Sequence, residues 1–228
     1  MLPTGSFTDP GPVADGYPEP AMAISGALHD AVMAPVERHG LAAQRALLVA
    51  GARGRVLEVG AGAGRDLPHY GAVAAVTSLV ALESDRRRLR RLAVRAARLA
   101  IPVEIVAGGV PGSGLSEGSF DTVVCPFVLC RVQDLPGALA ELRRLLCDDG
   151  QLLFLEPIIG RRRAAARIQR LVAPAWARVA GGCRVDRDTV AALRAAEFAL
   201  SDCERLAPLG RCTAGTVVRG RAIKRRRT

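Results

Sequence analysis

Asparagine is absent from this 228-residue chain, and lysine occurs once, as Lys224, within a Lys+Arg total of 32. The formal net charge of +10 therefore rests almost wholly on arginine. That skew is the mark of a G+C-rich genome, so the charge alone does not argue for a polyanionic partner. The clusters Arg86 to Arg88, Arg161 to Arg163 and Lys224 to Arg227 are expected as solvated faces and a frayed tail rather than a phosphate track. No apolar run approaches the ~18 residues a membrane span needs. Residues 1–20 are rich in Pro, Gly, Ser and Asp without apolar periodicity, which predicts a disordered leader. They lack a basic stretch followed by an apolar one, which excludes a secretory signal and predicts a cytoplasmic protein. The six cysteines, Cys125, Cys130, Cys147, Cys183, Cys203 and Cys212, form no CxxC and no Cys/His cluster. They are expected as reduced thiols, with no metal site.

Half of the residues are hydrophobic, enough for a full core, and the length suits one α/β domain rather than two. The most informative stretch is Val56-Leu57-Glu58-Val59-Gly60-Ala61-Gly62-Ala63-Gly64-Arg65, an apolar strand with a carboxylate running into three glycines at alternate positions. Such a turn lets backbone press against a ligand, because glycine adopts positive φ and has no Cβ. The dinucleotide fingerprint would need its third glycine at Arg65, so the pattern here is E-x-G-x-G-x-G. The apolar run of residues 76–82 ends at Glu83, where an acidic side chain can accept from ribose hydroxyls at the usual spacing of about 20 residues from the turn.

Apolar spacing predicts helices over residues 22–49 with a break at Pro35, then a strand over 55–59 and a short helix over 65–70. A second strand closes at Glu83, and Asp85 caps an arginine-rich helix to about residue 100. Strands follow at 103–107 and 120–125. A helix over 135–147 is expected to end at Gly150, before a continuous apolar strand over 151–156. The remainder reads as a basic helix over 162–172 broken at Pro174, a helix near 189–196, and strands near 198–206 and 216–224. Alternating strands and helices imply a parallel sheet with right-handed crossovers, whose ligand lies beyond the carboxyl ends of the strands.

The glycine-turn spacing resembles the first motif of class I S-adenosylmethionine-dependent methyltransferases. Gly118-Ser119-Phe120-Asp121-Thr122-Val123-Val124-Cys125 resembles their fourth-strand motif. The segments Val128 to Asp134, Leu153 to Glu156, and Pro174-Ala175-Trp176 leading through Gly181 to Thr189 are similar to thiol methyltransferase-like proteins of animals and their bacterial relatives. The resemblance spans roughly residues 25–224. It implies a Rossmann-like fold with a mostly parallel seven-stranded sheet and helices on both faces, a methyltransferase domain over 21–224, and a basic tail over 225–228. It also implies S-adenosylmethionine as cofactor, bound by Glu58, Gly60, Gly62, Gly64, Glu83, Val110 and Cys125.

Three departures stand out. Animal members begin with a hydrophobic membrane-associating segment where residues 1–20 are polar. The acidic residue that related enzymes often place after the third strand is here Gly109. A histidine that often follows the fifth-strand glutamate is here Pro157. The implied partner is a small-molecule methyl acceptor, an alkyl thiol first, with a quinone, phenol or amine as alternatives. A thiol of pKa about 8.5 already has a few per cent thiolate at neutral pH and needs no strong base. Candidates to line its pocket are His29, His69, Tyr70, Arg131, Glu156 and Trp176, none singled out as a catalytic base. Each has a plainer role open to it: packing for His69, Tyr70 and Trp176, pairing with Asp134 for Arg131, a solvated helix face for His29, a cap or salt bridge for Glu156. Amino-group methyltransferases of nucleic acids commonly carry Asn/Asp-Pro-Pro-aromatic after strand four, and Cys125-Pro126-Phe127-Val128 lacks the polar first residue and the second proline. A non-catalytic cofactor-binding interaction module is the rival reading of another class.

Overall fold

A computed structural model describes residues 7–8, 40–206 and 216–225. His29, Cys212, most of the expected leader and of the first helical stretch, and residues 226–228 lie outside the described residues. In chain order the elements are β1 (Phe7–Thr8), α1 (Ala42–Val49), β2 (Gly54–Val59), α2 (Leu67–Tyr70), β3 (Val76–Glu83), α3 (Arg86–Ala96), β4 (Val103–Ala107) and β5 (Phe120–Pro126). Then come α4 (Leu135–Leu145), β6 (Leu146–Ile158), α5 (Arg163–Val179), α6 (Thr189–Ala195), β7 (Phe198–Arg205) and β8 (Thr216–Lys224). The sheet runs β1-β4-β3-β2-β5-β6-β8-β7. Pairings from β1 to β6 are parallel, and β8 lies antiparallel between β6 and β7. The expected seven strands are present; the eighth, Phe7–Thr8, pairs with Ile105 and Val106 along the otherwise open edge of β4.

The strands read as near-continuous apolar runs because both faces are covered. Successive side chains point to opposite faces. Val56, Leu79 and Ala81 join Leu48, Leu67 and Leu92 on the face of α1 to α3, whereas Leu57, Val80 and Leu82 join Leu139, Leu142 and Leu193 on the face of α4 and α6. The chain moves outward through β2, β3 and β4, then crosses back to β5 on the other side of β2. Loops after β2 and β5 therefore diverge at a topological switch point, which opens a crevice at the carboxyl ends of these strands.

Two boundaries differ from expectation. Gly150 does not terminate α4: the chain turns extended at Leu146 (φ −71°, ψ 136°), where Leu146 pairs with Phe120 and its carbonyl accepts from Lys224 Nζ at 2.9 Å. Pro174 does not break α5, which runs through it from Arg163 to Val179. The ring is exposed, so a single lost backbone donor is outweighed by the buried turns on either side, which include Ala166, Gln169 and Ala173.

Candidate active site

The three glycines after β2 all have positive φ, 66° at Gly60, 60° at Gly62 and 76° at Gly64, yet their surroundings assign them different work. A Cβ on Gly60 would lie 2.8 Å from Val128 Cγ2, so this glycine admits the loop after β5. On Gly64 it would lie 3.0 Å from Leu92 Cδ1 and 3.3 Å from Leu67 Cδ2, so this one admits α3 and α2. On Gly62 the nearest atom is Arg88 Nη1 at 3.8 Å. Gly62 alone of the three turns its missing side chain toward open space, where a ligand can approach.

Glu83 ties this turn to the next strand. Its Oε2 accepts from the Gly62 N–H at 2.6 Å and its Oε1 from the Asp85 N–H at 2.8 Å. A carboxylate offers about four acceptor sites, so capacity remains on both oxygens for hydroxyl donors. Asp85 in turn caps α3 by accepting from the Arg87 N–H at 3.0 Å, which sets the helix immediately beyond the crevice.

Beneath the turn lies a buried polar cluster that sequence spacing does not reveal. Glu58 is fully buried, and neither carboxylate oxygen meets a donor in hydrogen-bond geometry, although the buried hydroxyl of Tyr70 is its neighbour. Burial, then the proximity of Asp66, pushes the Glu58 carboxyl well above its ordinary value, against the opposing pull of Tyr70 and Arg45. Asp66 accepts from Arg45 Nη1 at 2.8 Å, and the Arg45 guanidinium stands 5.4 Å from the centroid of the Phe127 ring. Tyr70, expected in the acceptor pocket, is fully buried in the core beside Glu58, since the short α2 aims it inward. His69, one residue earlier, is half-buried.

The loop after β5 is held by an acid. Glu156 Oε1 accepts from the backbone N–H groups of Val128 (2.8 Å) and Leu129 (2.7 Å), and Oε2 from that of Cys130 (3.0 Å). Burial raises its pKa to about 7, although the three N–H groups favour the anion. Glu156 is thus an anchor of backbone rather than an open pocket group. It holds a loop that begins with Phe127 at φ 60°, a conformation costly for a bulky residue. Val110 and Cys125 can meet a ligand only through backbone. Their side chains sit in the core cluster, at 1% and 0% exposure, and only the loops after β4 and β5 can face the crevice.

Opposite this loop, α5 is fastened to the end of β6 by Gln169, which accepts from the Gly160 N–H at 2.6 Å and donates to the carbonyls of Ile158 and Val185. Trp176 in its last turns is half-buried, its indole N–H facing the Cys183 thiol. Arg131 reaches the same place: a Cβ on Gly181 would lie 2.8 Å from Arg131 Nη2. Asp134 is not the partner of Arg131 but the cap of α4, accepting from the Gly137 N–H at 3.0 Å. The structure thus gathers Glu58, Gly62, Glu83 and Tyr70 about the glycine turn, and Arg131 and Trp176 about Gly181 and Cys183. Sequence spacing does not single out Arg45, Asp66 and Gln169, whose partners lie 9 to 21 residues away, beyond any motif.

These residues fit S-adenosylmethionine. The open side of Gly62 admits close backbone approach, and Glu83 retains acceptor capacity for ribose hydroxyls. When bound, the cofactor supplies a methyl group made electrophilic by its sulfonium.

A family model described as a methyltransferase domain matches residues 37–196. The human thiol S-methyltransferase TMT1B is 33% identical over 178 residues, which cover 76% of this chain and 73% of that protein. The rat TMT1B is 29% identical over 171 residues, covering 74% and 70%. Among solved structures, a SAM-dependent methyltransferase of Thermotoga maritima, described as a possible histamine N-methyltransferase, superimposes with a TM-score of 0.65 at 19% identity, over 88% of this chain and 96% of that one. The chain belongs to the methyltransferase-domain family and is an S-adenosylmethionine-dependent methyltransferase.

Proposed function

We propose that the methyl acceptor is a small, fairly apolar molecule and that an alkyl thiol is its leading form. The observation that carries this reading is the commitment of Glu156: the acid at the crevice end of β6 already accepts from three backbone N–H groups. Glu58 is sealed under the glycine turn. Among the described residues, neither acid is thus placed as an open general base. A hydroxyl or ring carbon needs a base far more than a thiol does. The thiol S-methyltransferase activity for which the TMT1B relatives are named supports the same class.

In this reading Glu83 and the backbone about Gly62 hold and orient the cofactor. The loop from Phe127 to Cys130 forms one wall, and Trp176 with the end of α5 covers the acceptor and excludes water. Bringing the sulfur to about 3–3.5 Å in line with the methyl carbon is worth ~7–11 kcal/mol, so positioning accounts for much of the rate. The thiol proton leaves to solvent before or during attack, and turnover rises with pH as the thiolate fraction grows. A thiol screened beside quinones, phenols and amines with labelled cofactor tests the assignment. Methylation of one of the others with no turnover of any thiol overturns it.

A further inference from the structure

Cys130 and Cys183 meet at the seam between the loop after β5 and the segment after α5. The Arg184 N–H donates to the Cys130 carbonyl at 2.9 Å, which lays the two segments side by side and brings Cys183 next to Cys130, close enough that each thiol shifts the titration of the other. Arg187 Nη1 reinforces the seam by donating to the Leu129 carbonyl at 2.7 Å. Both cysteines are free, Cys130 fully buried and Cys183 partly open.

We propose that this pair is an oxidation site, at which a peroxide converts the two thiols to an intramolecular disulfide that fastens the end of α5 to the wall of the crevice. The Cys183 sulfur attacks one peroxide oxygen, an S–O bond forms as O–O breaks, and the departing hydroxide leaves as water with the thiol proton. The Cys130 sulfur then attacks the sulfenic sulfur; S–S forms, S–O breaks, and the second hydroxide leaves as water with the Cys130 proton. Two thiols lose two electrons and one peroxide becomes two waters.

The order of attack follows from the surroundings. The neighbouring Cys130 thiol holds the Cys183 thiol below its ordinary value, with Trp176 and Arg131 acting in the same direction against burial and the Glu156 carboxyl, whereas burial pushes Cys130 up. Cys125, Cys147 and Cys203 are all pushed up, chiefly by desolvation. Cys183 is therefore the attacking sulfur among the described cysteines, and Cys130 the resolving one. The consequence for turnover rests on the acceptor reading above: a bond here holds Trp176 and its helix end closed, so methyl transfer falls while cofactor binding persists.

The full chain, reduced and then exposed to a modest excess of hydrogen peroxide, is alkylated, digested and weighed. The expected product is a Cys130–Cys183 crosslinked peptide, reversed by dithiothreitol, with a loss of about two free thiols per chain and a Tm rise of about 5–10 °C. Cys183→Ser abolishes the crosslink and Cys203→Ser leaves it unchanged. Cys183 carried to sulfinic acid while Cys130 stays reduced, or oxidation confined to Cys203, overturns the proposal. Neither readout depends on methyl transfer, so failure here is separable from failure of the acceptor assignment.

Discussion

Glu156→Gln opposes two effects of similar size, and pH decides between them. The glutamine carbonyl can still accept from Val128 and Leu129, but its amide group faces the Cys130 N–H, donor against donor. Leaving that buried N–H unsatisfied costs about 1–3 kcal/mol. In the wild type the folded-state pKa is raised from 4.5 to about 7, so the folded protein holds this proton more tightly than the unfolded chain. A carboxyl raised in that sense adds stability at low pH and loses it as pH climbs through the window from about 4.5 to 7. Each tenfold change in proton affinity is worth about 1.4 kcal/mol, so the ionised wild type gives up roughly 3 kcal/mol by about pH 8. The variant lacks this titration. It is expected to be less stable than wild type by about 1–3 kcal/mol at about pH 5 and equal to it, or slightly more stable, at about pH 8. Urea unfolding of both proteins at intervals between about pH 5 and pH 8 isolates Glu156, because the other titrating groups cancel in the difference. A difference between the two proteins that stays constant across this range refutes the reasoning.

The glycines are expected to separate by function. Gly62→Ala meets only the positive-φ strain of about 1 kcal/mol, so it folds, yet calorimetry shows cofactor affinity lowered tenfold or more. Gly60→Ala and Gly64→Ala collide with Val128 and Leu92 and lose about 2–4 kcal/mol in chemical unfolding. Glu83→Ala removes both the ribose acceptor and the partner of the Gly62 and Asp85 N–H groups, so affinity and stability fall together in calorimetry and melting. Trp176→Ala raises the acceptor KM more than the cofactor Kd in steady-state kinetics and calorimetry. RNA titrated at physiological salt shows no tight binding and receives no methyl group, since the positive charge follows arginine usage rather than a recognition surface.

The candidate cofactor half of the site has a one-dimensional signal in the sequence. A strand ending in Gly60, Gly62 and Gly64 and a second strand ending in Glu83 meet wherever two parallel strands lie side by side, and β2 and β3 do. The acceptor half was less legible. Whether Glu156 faces a substrate or backbone depends on a loop 26 to 28 residues earlier, and nothing local to Leu155 or Pro157 announces it. Tyr70 reads equally as pocket or core until α2 is placed against Glu58. Pro174 and Gly150 misled for a shared reason: both are strong local punctuators, overridden here by the buried face of α5 and by the pairing of Leu146 with Phe120.

The central claim is methyl transfer to a small thiol from a cofactor held at the Gly62 turn. The most direct measurement incubates the purified protein with methyl-labelled S-adenosylmethionine and an alkyl thiol, following labelled thioether and S-adenosylhomocysteine together, with Gly62→Val in parallel. Equal amounts of the two products are expected, with a rate that rises with pH toward the pKa of the thiol supplied and little product from the variant at the same cofactor concentration. No thioether from any thiol, with label appearing instead on a quinone, phenol or amine, contradicts that claim.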